Sequence, residues 1–442
     1  MEYILRDYQI EAVKRGLEFF YSKNKKNVVE VLPTAAGKSL IIANIARGLD
    51  APVLCLQPTK ELLIQNYSKF ISYGNKASIY SASIGVREIG DVTFATIGSI
   101  YKKPELFSDF RYIAVDECHL ISPRDGSMHK SFFENLNFKL LGLTATPFRL
   151  KAYSFPEPHS KLNMLNRERP KIFQDFIHIT QIQEMVERKY WAPLEYISSS
   201  FDSSKLKINS TGANYTDDSI ERALKSQNTV KNSIDWAKRL MKEGREQILI
   251  FAPSVDISDY IASQLGVNSV TSFTDKKDRE KYLDRFAKGL DRAICNVNVL
   301  SVGYDNQKID AIIDLTPTLS LARYYQKLGR GVRIDLSPTV TKQDCIVVDL
   351  VGNQDMFGRV EDLRIDNIGG WGVFSNDKQL TNVELTKDNP IPELEDIVMT
   401  IGKYKDKPYK KIPRSYLMWI YQNWERNQYN ESLFRYVEKK FL

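Results

Sequence analysis

The chain has 442 residues, 43% of them hydrophobic, and a formal net charge of +7. This length suits two or three domains, and the hydrophobic content is normal for globular units with buried cores. The sequence contains no apolar run of the ~18 residues that a membrane-spanning helix needs. Its first residues also lack the basic start and the apolar run of a signal peptide. We therefore expect a cytoplasmic protein with no membrane partner.

Residues 1–150 alternate β-rich and helical segments. This alternation is typical of an α/β domain in which helices cover both faces of a parallel sheet. Ligands of such sheets lie beyond the carboxyl ends of the strands, so residues that follow each strand are the first candidates for a site. The expected strands are Asn27–Leu32, Pro52–Leu56, Ala77–Ser81, Val92–Thr96, Tyr112–Val115 and Lys139–Leu143.

Residues 151–217 connect this domain to a second α/β unit at 218–358. The connecting segment is Pro-rich at first, favours a helix at Ile179–Lys189, and is rich in Ser, Asp and Asn at 197–218, where a linker or mobile loop is expected. The strands expected in the second unit are Gln247–Phe251, Ser269–Ser272, Arg292–Asn296, Ala311–Asp314 and Cys345–Leu350.

The cysteines favour a reduced protein without zinc. All four lie in or beside expected buried strands and are widely spaced, which favours core thiols over disulfides or a metal site. We therefore expect no bound zinc. The four are Cys55, Cys118, Cys295 and Cys345.

A phosphate-binding loop is predicted where the first strand meets a helical segment. Residues 33–39 read Pro-Thr-Ala-Ala-Gly-Lys-Ser. The small residues let backbone N–H groups approach a phosphate, Lys38 reaches the β and γ oxygens, and the Ser39 hydroxyl ligates Mg²⁺. Pro33 stands where the usual pattern has Gly, so an ordinary helix cap is the alternative. The residues of the cradle are Thr34, Ala35, Ala36, Gly37, Lys38 and Ser39.

An acidic pair follows the fifth expected strand. The run Arg111–Val115 ends in Asp116-Glu117-Cys118-His119. Asp116 is the candidate ligand of Mg²⁺, and Glu117 the candidate group that polarises the attacking water, because phosphoryl transfer depends on positioning and charge stabilisation. A metal-ligand pair of Asp and His is disfavoured, since the chain has only 4 His.

The two motifs, in this order, resemble those of the superfamily 2 helicases and translocases with a DExH box. That resemblance implies two tandem RecA-like domains, with ATP and Mg²⁺ bound in the cleft between them. Further segments match the family in the same order along the chain. They are Leu5–Gln9, Leu56–Leu62, Phe94–Ser99, Leu143–Pro147, Ile248–Pro253, Ser301–Asp305 and Gln326–Arg333.

The resemblance also implies roles for individual residues. Gln9 would hydrogen-bond the adenine edge, and Arg6 would fix the base or a phosphate. Gly303 and Asp305 are assigned to the nucleotide site as well. Contact with nucleic acid, or coupling of the ATP state to the grip on it, is assigned to Thr59, Lys60, Thr96, Ser99, His119, Thr144 and Thr146.

Two arginines complete the implied catalytic set. Arg330 and Arg333, with Gln326, resemble the arginine-finger motif that reaches the γ-phosphate from the second domain. Their spacing of three predicts that both lie on one face of a helix. The alternative for such a pair is a solvated helical face, which the Gln and Gly of the motif disfavour.

Two segments narrow the resemblance within the family. Phe176–Leu194 and Val348–Gly358 resemble RadD-type DNA-repair helicases, and the compact size also suits phage branch-migration helicases of the UvsW type. RadD-like proteins often carry a Cys-rich zinc element, which has no counterpart in this sequence. The resemblance therefore implies no zinc here.

The end of the chain is predicted as a separate basic module. Residues 360–400 carry nine acidic and three basic residues, whereas 401–442 carry ten basic and four acidic ones with ten aromatics. We expect an acidic connector at 359–400 and a small accessory module at 401–442, which resembles a Gly-Lys-Tyr-Lys-Gly module of some phage proteins and exonucleases. Asp406 replaces a usual Gly. Its aromatics suit either base stacking or its own core.

The sequence therefore predicts an ATP-dependent DNA helicase or translocase, with an α/β fold of two RecA-like domains and an accessory domain. The expected partners are forked, branched or single-stranded DNA, with replication or recombination proteins as further candidates. Three alternatives stay open at this point. They are the motor subunit of a restriction or defence complex, an RNA helicase, and an ATP-gated module that remodels a partner protein.

Overall fold

The structure is a computed structural model, and it divides into two compact units. The first contains Met1–Arg149 and Leu165–Met185, and the second contains Leu150–Met164 and Val186–Leu442. The residues described are 4–153, 159–300, 304, 306–334, 342–376, 378–382, 384–385, 399, 402–404, 407–424 and 430–441.

The strands within these ranges are β1 Val28–Val31, β2 Val53–Gln57, β3 Ser78–Ser81, β4 Val86–Arg87, β5 Val92–Thr96, β6 Tyr112–Asp116, β7 Lys139–Thr144, β8 Phe148–Tyr153, β9 His159–Met164, β10 Asp175–Ile179, β11 Leu194–Ser198, β12 Ile248–Phe251, β13 Asn268–Val270, β14 Ala293–Asn296, β15 Ala311–Asp314, β16 Cys345–Asp349, β17 Leu363–Asn367, β18 Trp371–Ser375, β19 Lys378–Gln379 and β20 Glu384–Leu385.

The helices are α1 Asp7–Tyr21, α2 Lys38–Arg47, α3 Lys60–Ser72, α4 Ile97–Ile100, α5 Met128–Phe133, α6 Ile182–Glu187, α7 Asp217–Ser226, α8 Thr229–Lys242, α9 Val255–Leu265, α10 Lys276–Ala287, α11 Leu321–Leu328, α12 Asn353–Phe357, α13 Arg414–Asn423 and α14 Glu431–Phe441.

The first unit is built on a mainly parallel sheet in the order β10-β1-β7-β6-β2-β5-β3-β4. Its interior strands β1 and β2 are buried along their whole length, as expected where helices cover both faces. The parallel pairing aligns the strand ends: Val31 pairs with Thr144, and Asp116 with Leu143. The loops after β1, β6 and β7 therefore meet at one edge of the sheet.

The second unit repeats this architecture. Its parallel sheet has the order β11-β16-β15-β12-β14-β13, and its core lies between that sheet and helices α8 and α9. The predicted α/β fold with two sheets of this kind is thus confirmed. The cysteines are free and buried, in agreement with the expected core thiols.

The connecting segment differs from its prediction in two places. Asp175–Ile179 is strand β10, which pairs with β1, and the helix that follows spans only Ile182–Glu187. The expected linker at 197–218 is packed: Leu206 and Tyr215 are buried in a cluster with α7. Both errors have one cause, since pairing at a sheet edge and burial of isolated apolar residues depend on partners distant in sequence.

The expected acidic connector is in part a folded β-sheet. Strands β17, β18 and β19 form an antiparallel sheet, and Val373 and Phe374 on β18 are buried. The alternation Leu363-Arg364-Ile365-Asp366 is the period-two signal that could have predicted it. The rest of the acidic segment, 386–398, lies outside the described residues.

A carboxylic acid is buried in the middle of β1. Glu30 is 0% exposed, and within the described part of the chain neither carboxyl oxygen has a hydrogen-bond partner. Helix α1 packs closely against this carboxyl group: a Cβ on Gly16 would lie 3.1 Å from Glu30 Oε1. Burial raises the pKa of Glu30 well above its usual range. Its native pKa therefore exceeds its unfolded one, and stability is lost as the pH rises through the native value.

We expect Glu30→Met to stabilise the first unit at neutral pH, by about 1–3 kcal/mol, because it removes an unpartnered polar group. The gain should be larger at pH 8 than at pH 5, because the glutamate ionises freely in the unfolded protein whereas burial opposes its ionisation in the native one. Thermal midpoints of both proteins across this pH range test it, with exposed Glu105→Met as the control. A lower midpoint for Glu30→Met at pH 8 would show that the carboxyl has a stabilising partner.

Candidate active site

The loop between β1 and α2 forms a concave cradle of backbone N–H groups. Ala35 and Gly37 both have left-handed backbone, with φ of 62° and 79°. Residues in this conformation turn successive N–H groups toward one point, which is how proteins bind phosphate. Gly37 caps α2, and a Cβ there would lie 2.6 Å from Gln9 Nε2, so a side chain at this position would displace the Gln9 amide. Lys38 and Ser39 open the helix.

Gln9 ties α1 to this cradle. Its Nε2 donates to the Ala36 carbonyl at 2.8 Å, and its Oε1 accepts from the Arg6 backbone N–H at 2.9 Å. The Tyr8 hydroxyl donates to the same carbonyl at 3.0 Å. The observed role of Gln9 is therefore to hold the loop, while the adenine contacts of Gln9 and Arg6 stay predictions.

The acidic pair lies at the end of β6, beside the cradle. Lys38 Nζ lies 3.2 Å from Glu117 Oε1. Asp116 accepts from Asn66 Nδ2 at 3.0 Å and from the Glu117 N–H at 2.9 Å. Asn66 also donates to Gln57 Oε1 at 2.8 Å, so it orients the Asp116 carboxylate. Asn66 was not among the predicted residues, since a lone Asn within a helix gives no motif signal.

The electrostatics of this pair suit a cation. Burial, and then the charge of Glu117, raise the pKa of Asp116 to about 6, although Lys38 and Asn66 act against the shift. A carboxylate in such surroundings gains from a divalent cation, and hydroxyl and carboxylate oxygens are the ligands that Mg²⁺ prefers. Ser39 and Asp116 thus fit the expected magnesium site, and the cradle fits the phosphates of ATP.

A chain of short contacts leads from the acidic pair to β7. His119 Nδ1 lies 3.4 Å from Glu117 Oε2 and 2.8 Å from Thr144 Oγ1. Thr144 Oγ1 in turn accepts from the Thr146 N–H at 3.0 Å. Burial lowers the pKa of His119 to about 4, so the ring is neutral at physiological pH. His119, Thr144 and Thr146 are all buried, which favours the coupling role over direct contact with nucleic acid.

Arg149 holds the backbone that follows the acidic pair, and no predicted motif included it. Its guanidinium donates to the His119 carbonyl, at 3.0 Å from Nε, and also to the Ile121 carbonyl. On its other side it pairs with Glu168 at 2.9 Å. The sequence could have indicated Arg149 as a site residue, because it follows the Thr-Ala-Thr-Pro segment by two residues.

The remaining candidates of the first unit follow β2 and β5, which are parallel neighbours with Gln57 opposite Thr96. Thr59 caps α3 by accepting from the Leu62 N–H at 3.3 Å. The hydroxyls of Thr96 and Ser99 lie 2.9 Å apart. Thr59, Thr96, Ser99 and Lys60 are all partly exposed. Their contact with nucleic acid stays a prediction.

The arginines of the second unit do not share a helix face, and the prediction from their spacing was wrong. Helix α11 ends at Leu328, so Arg330 and Arg333 lie in the segment after it. Arg330 donates to the Tyr304 carbonyl at 2.6 Å, and Arg333 to the Gly329 carbonyl at 3.0 Å. Arg330 is buried, whereas Arg333 is partly exposed.

The backbone packs closely against the sheet just after the helix ends. A Cβ on Gly331 would lie 2.5 Å from Cys345 Sγ on β16, so the backbone runs against the sheet at this point. Lys342 Nζ then holds the segment by donating to the carbonyls of Gly331 and Arg333 at 2.5 and 2.7 Å. These contacts fix the backbone that carries both arginines.

A buried ion pair anchors α11 one turn earlier. Lys327 Nζ pairs with Asp314 and donates to Thr316 Oγ1 at 2.6 Å. Asn353 Nδ2 also donates to Asp314, at 2.9 Å. Lys327 belongs to the predicted motif without having been assigned a role. Gln326 is partly exposed on α11. The segment Ser301–Gly303 and Asp305 lie outside the described residues.

This fold and site define an ATP-hydrolysing P-loop enzyme, and comparison with known proteins narrows the class. The profile of the type III restriction enzyme res subunit matches residues 2–149, and that of the helicase conserved C-terminal domain matches 232–335. One region of the chain thus matches a restriction-enzyme model and another a helicase model, and together these matches support an enzyme that hydrolyses ATP in dependence on nucleic acid.

Individual relatives are distant. The chain is 26% identical over 341 residues to a 51.5 kDa protein of Lactococcus phage isolate 7-9, covering 74% of this chain and 66% of that protein. It is 25% identical over 368 residues to the DNA 3'-5' translocase XPB2 of Sulfurisphaera tokodaii, covering 74% of this chain and 78% of that protein.

A solved structure shares the fold. It is a fragment assigned to the HsdR subunit of a type I restriction enzyme from Vibrio vulnificus YJ016, with a TM-score of 0.61 and 19% identity. The match covers 81% of this chain and 66% of that one. The chain thus spans 66% of the length of this structure and of the phage relative.

Two features are absent from the described residues. No helix there is long and apolar enough to cross a bilayer. Nor do His, Cys, Asp or Glu side chains in those ranges form a group of three or more that could hold a metal ion.

Proposed function

We propose that this chain is an ATP-dependent DNA translocase or helicase. One observation carries the proposal: a continuous series of contacts joins the P-loop lysine to Glu117, His119 and Thr144. A simple ATPase needs the first two residues only. A motor also needs a route by which the state of the nucleotide reaches other parts of the domain, and a series of close contacts of this kind would provide one.

We assign the steps of hydrolysis to residues on the basis of this geometry. Lys38 would hold the β and γ oxygens, Ser39 and Asp116 would hold Mg²⁺, and the metal would supply charge neutralisation at the phosphates. Glu117 would orient and deprotonate the attacking water. Its ion pair with Lys38 would hold the carboxylate in place until phosphate competes for the lysine.

We assign the transition-state contacts of the second unit to Arg330 and Arg333. Arginine suits this role because its planar guanidinium binds phosphate through two hydrogen bonds. The backbone on which both stand is held by Lys342 and by the packing of Gly331. Gln326 belongs to the same proposed catalytic set, whereas Gly303 and Asp305 are proposed as nucleotide-binding residues.

DNA is proposed as the polymer because a relative is named a DNA 3'-5' translocase. The finer proposal is a role on forked or branched DNA in replication, recombination or repair, as in RadD-like or UvsW-type helicases. The similarity to a phage protein agrees with a phage or bacterial setting, and hence with the cytoplasm of a bacterial cell. Contacts to phosphates at Thr59, Lys60, Thr96 and Ser99 would give weak sequence preference.

Steady-state ATPase assays with four polymers test the proposal. Single-stranded DNA, duplex DNA, forked DNA and RNA are each titrated with the full chain. We expect forked or single-stranded DNA to raise kcat most. Stimulation by RNA alone would make the chain an RNA helicase, and absence of stimulation by any polymer would favour an ATP-gated remodelling module.

A restriction motor is the second candidate, since the first unit matches the res subunit of type III restriction enzymes. Such a motor acts within a complex that also contains nuclease or methyltransferase functions. Its ATPase would respond to long duplex DNA without ends or forks. Equal stimulation by covalently closed duplex and by forked DNA would therefore favour this candidate over the first.

The coupling role of β7 gives a testable prediction. Thr144→Ala combined with Thr146→Ala removes the hydroxyl that binds His119 and leaves Lys38 and the acidic pair intact. We expect DNA-stimulated ATPase to persist in part, while translocation measured by triplex displacement falls by about tenfold or more. Thr93→Val, a buried threonine on β5, is the control. Equal loss of both activities would indicate misfolding or a direct catalytic role.

A further inference from the structure

A stack of aromatic rings lies on the surface of the C-terminal module. Tyr416 and Trp419, three residues apart on α13, stack with ring centroids 6.1 Å apart and planes 23° from parallel. Tyr404 meets Tyr416 edge-on at 4.7 Å. Trp419 is 51% exposed, so one large ring at the end of this stack presents much of its surface to solvent.

The core of the module does not need this ring. Tyr404 and Tyr416 rest on the side of the core, and Trp419 continues their stack outward. Among the described residues, Trp419 is not part of the core cluster, and an exposed stack of aromatic rings is a feature of binding sites. The core is made by Met399, Tyr409, Ile412, Leu417, Ile420, Leu433, Phe434, Tyr436 and Val437.

Positive charge accompanies the stack. The ammonium groups of Lys403 and Lys407 lie 5.7 and 5.5 Å from the centroid of the Tyr404 ring, and both side chains are exposed. Gly402 permits this arrangement: its φ is +84°, and a Cβ there would lie 3.0 Å from the Tyr416 hydroxyl. Residues 401–442 as a whole carry ten basic and four acidic residues.

We propose that this stack is a second binding site, for single-stranded DNA, in which a base stacks on Trp419 and phosphates lie near Lys403 and Lys407. Rings next to cations suit a polymer with flat bases and anionic links. Duplex DNA fits less well, because neighbouring pairs cover the faces of its bases. The inference rests on the proposed function only for the choice of DNA as the polymer.

Quenching of tryptophan fluorescence in the full chain, without nucleotide, tests the site. The probe is an oligothymidine of about 15 nucleotides, which covers a typical single-strand site. We expect it to quench the emission, and Trp419→Phe to remove much of that quenching while its affinity stays within about threefold. Trp419→Ala should weaken the affinity by about 5- to 100-fold.

Salt dependence and a matched variant complete the test. Replacing Lys403 and Lys407 by Gln should reduce the slope of log affinity against log salt by about 0.7 for each phosphate that the protein no longer neutralises. Tyr260→Ala, which removes an exposed ring of the second unit, is the control and should change neither affinity nor quenching. Thermal midpoints verify that each variant is folded.

The outcomes separate this inference from the proposed function. Quenching that Trp419→Phe leaves unchanged, or equal affinity of the site for duplex DNA, would overturn the inference. So would a preference for oligouridine, which would assign the site to RNA. Quenching that depends on Trp419 in a protein whose ATPase no polymer stimulates would support the site and contradict the motor.

Discussion

We expect Glu117→Gln to lower the kcat of ATP hydrolysis by about 10²-fold or more and to leave ATP binding intact. The substitution keeps the shape of the side chain but removes the proposed base, and loss of such a transition-state interaction costs about 2.7 kcal/mol or more. It also releases Lys38 from its ion pair, so ATP affinity should be unchanged or slightly higher. Phosphate release gives kcat, and a fluorescent ATP analogue gives the affinity.

Two further variants test the same assignment. Lys38→Ala should abolish turnover together with ATP binding, because it removes the cation that holds the phosphates. Glu61→Gln, an exposed glutamate at the start of α3, should hydrolyse ATP normally. If Glu117→Gln hydrolyses ATP at a near-normal rate, the catalytic base is another residue and the assignment of the acidic pair is wrong.

Arg330→Ala and Arg333→Ala should each lower kcat by about 10²-fold or more with little change in ATP affinity. Charge builds up on the γ-phosphate mainly in the transition state, so a finger contributes to kcat and little to binding. Arg333→Lys should recover only part of the activity, because lysine lacks the planar fork. Single-turnover hydrolysis at saturating DNA measures the chemical step.

Arg323→Ala is the matched control, since Arg323 is exposed on α11, the helix that precedes both arginines. Arg330 is buried and donates to the Tyr304 carbonyl, so its variant also needs a thermal midpoint to verify folding. A variant that keeps full kcat and loses only nucleotide affinity would place the finger elsewhere in the chain.

Local sequence patterns predicted the elements that carry the chemistry. The strand Ala311–Asp314 is observed with the predicted bounds, and β1 differs from its prediction by one residue at each end. These strands are short runs of apolar residues bounded by turn residues, and both signals are local. The small residues of the P-loop and the acids after β6 are equally local, so their meeting at one sheet edge followed from topology.

The errors involve contacts that no local pattern encodes. Arg330 and Arg333 have helical spacing, yet Gly331 packs against Cys345 and the helix ends before them. Asn66 and Arg149 bind groups that are distant in sequence. Asn66 donates to Asp116, and Arg149 donates to the His119 carbonyl. Each required knowledge of which strands are neighbours, and that information lies in the tertiary structure.

If Gln9 recognises a base, its hydrogen bond to the Ala36 carbonyl would link recognition of the base to recognition of the phosphates. If the amide of Gln9 turns toward a base, it loosens its hold on the backbone that receives the phosphates. The identity of the base would then affect how the phosphates are held at the reacting end of the nucleotide, through the single carbonyl oxygen of Ala36. Selectivity among nucleoside triphosphates would accordingly show itself in how fast each is hydrolysed as well as in how tightly it binds.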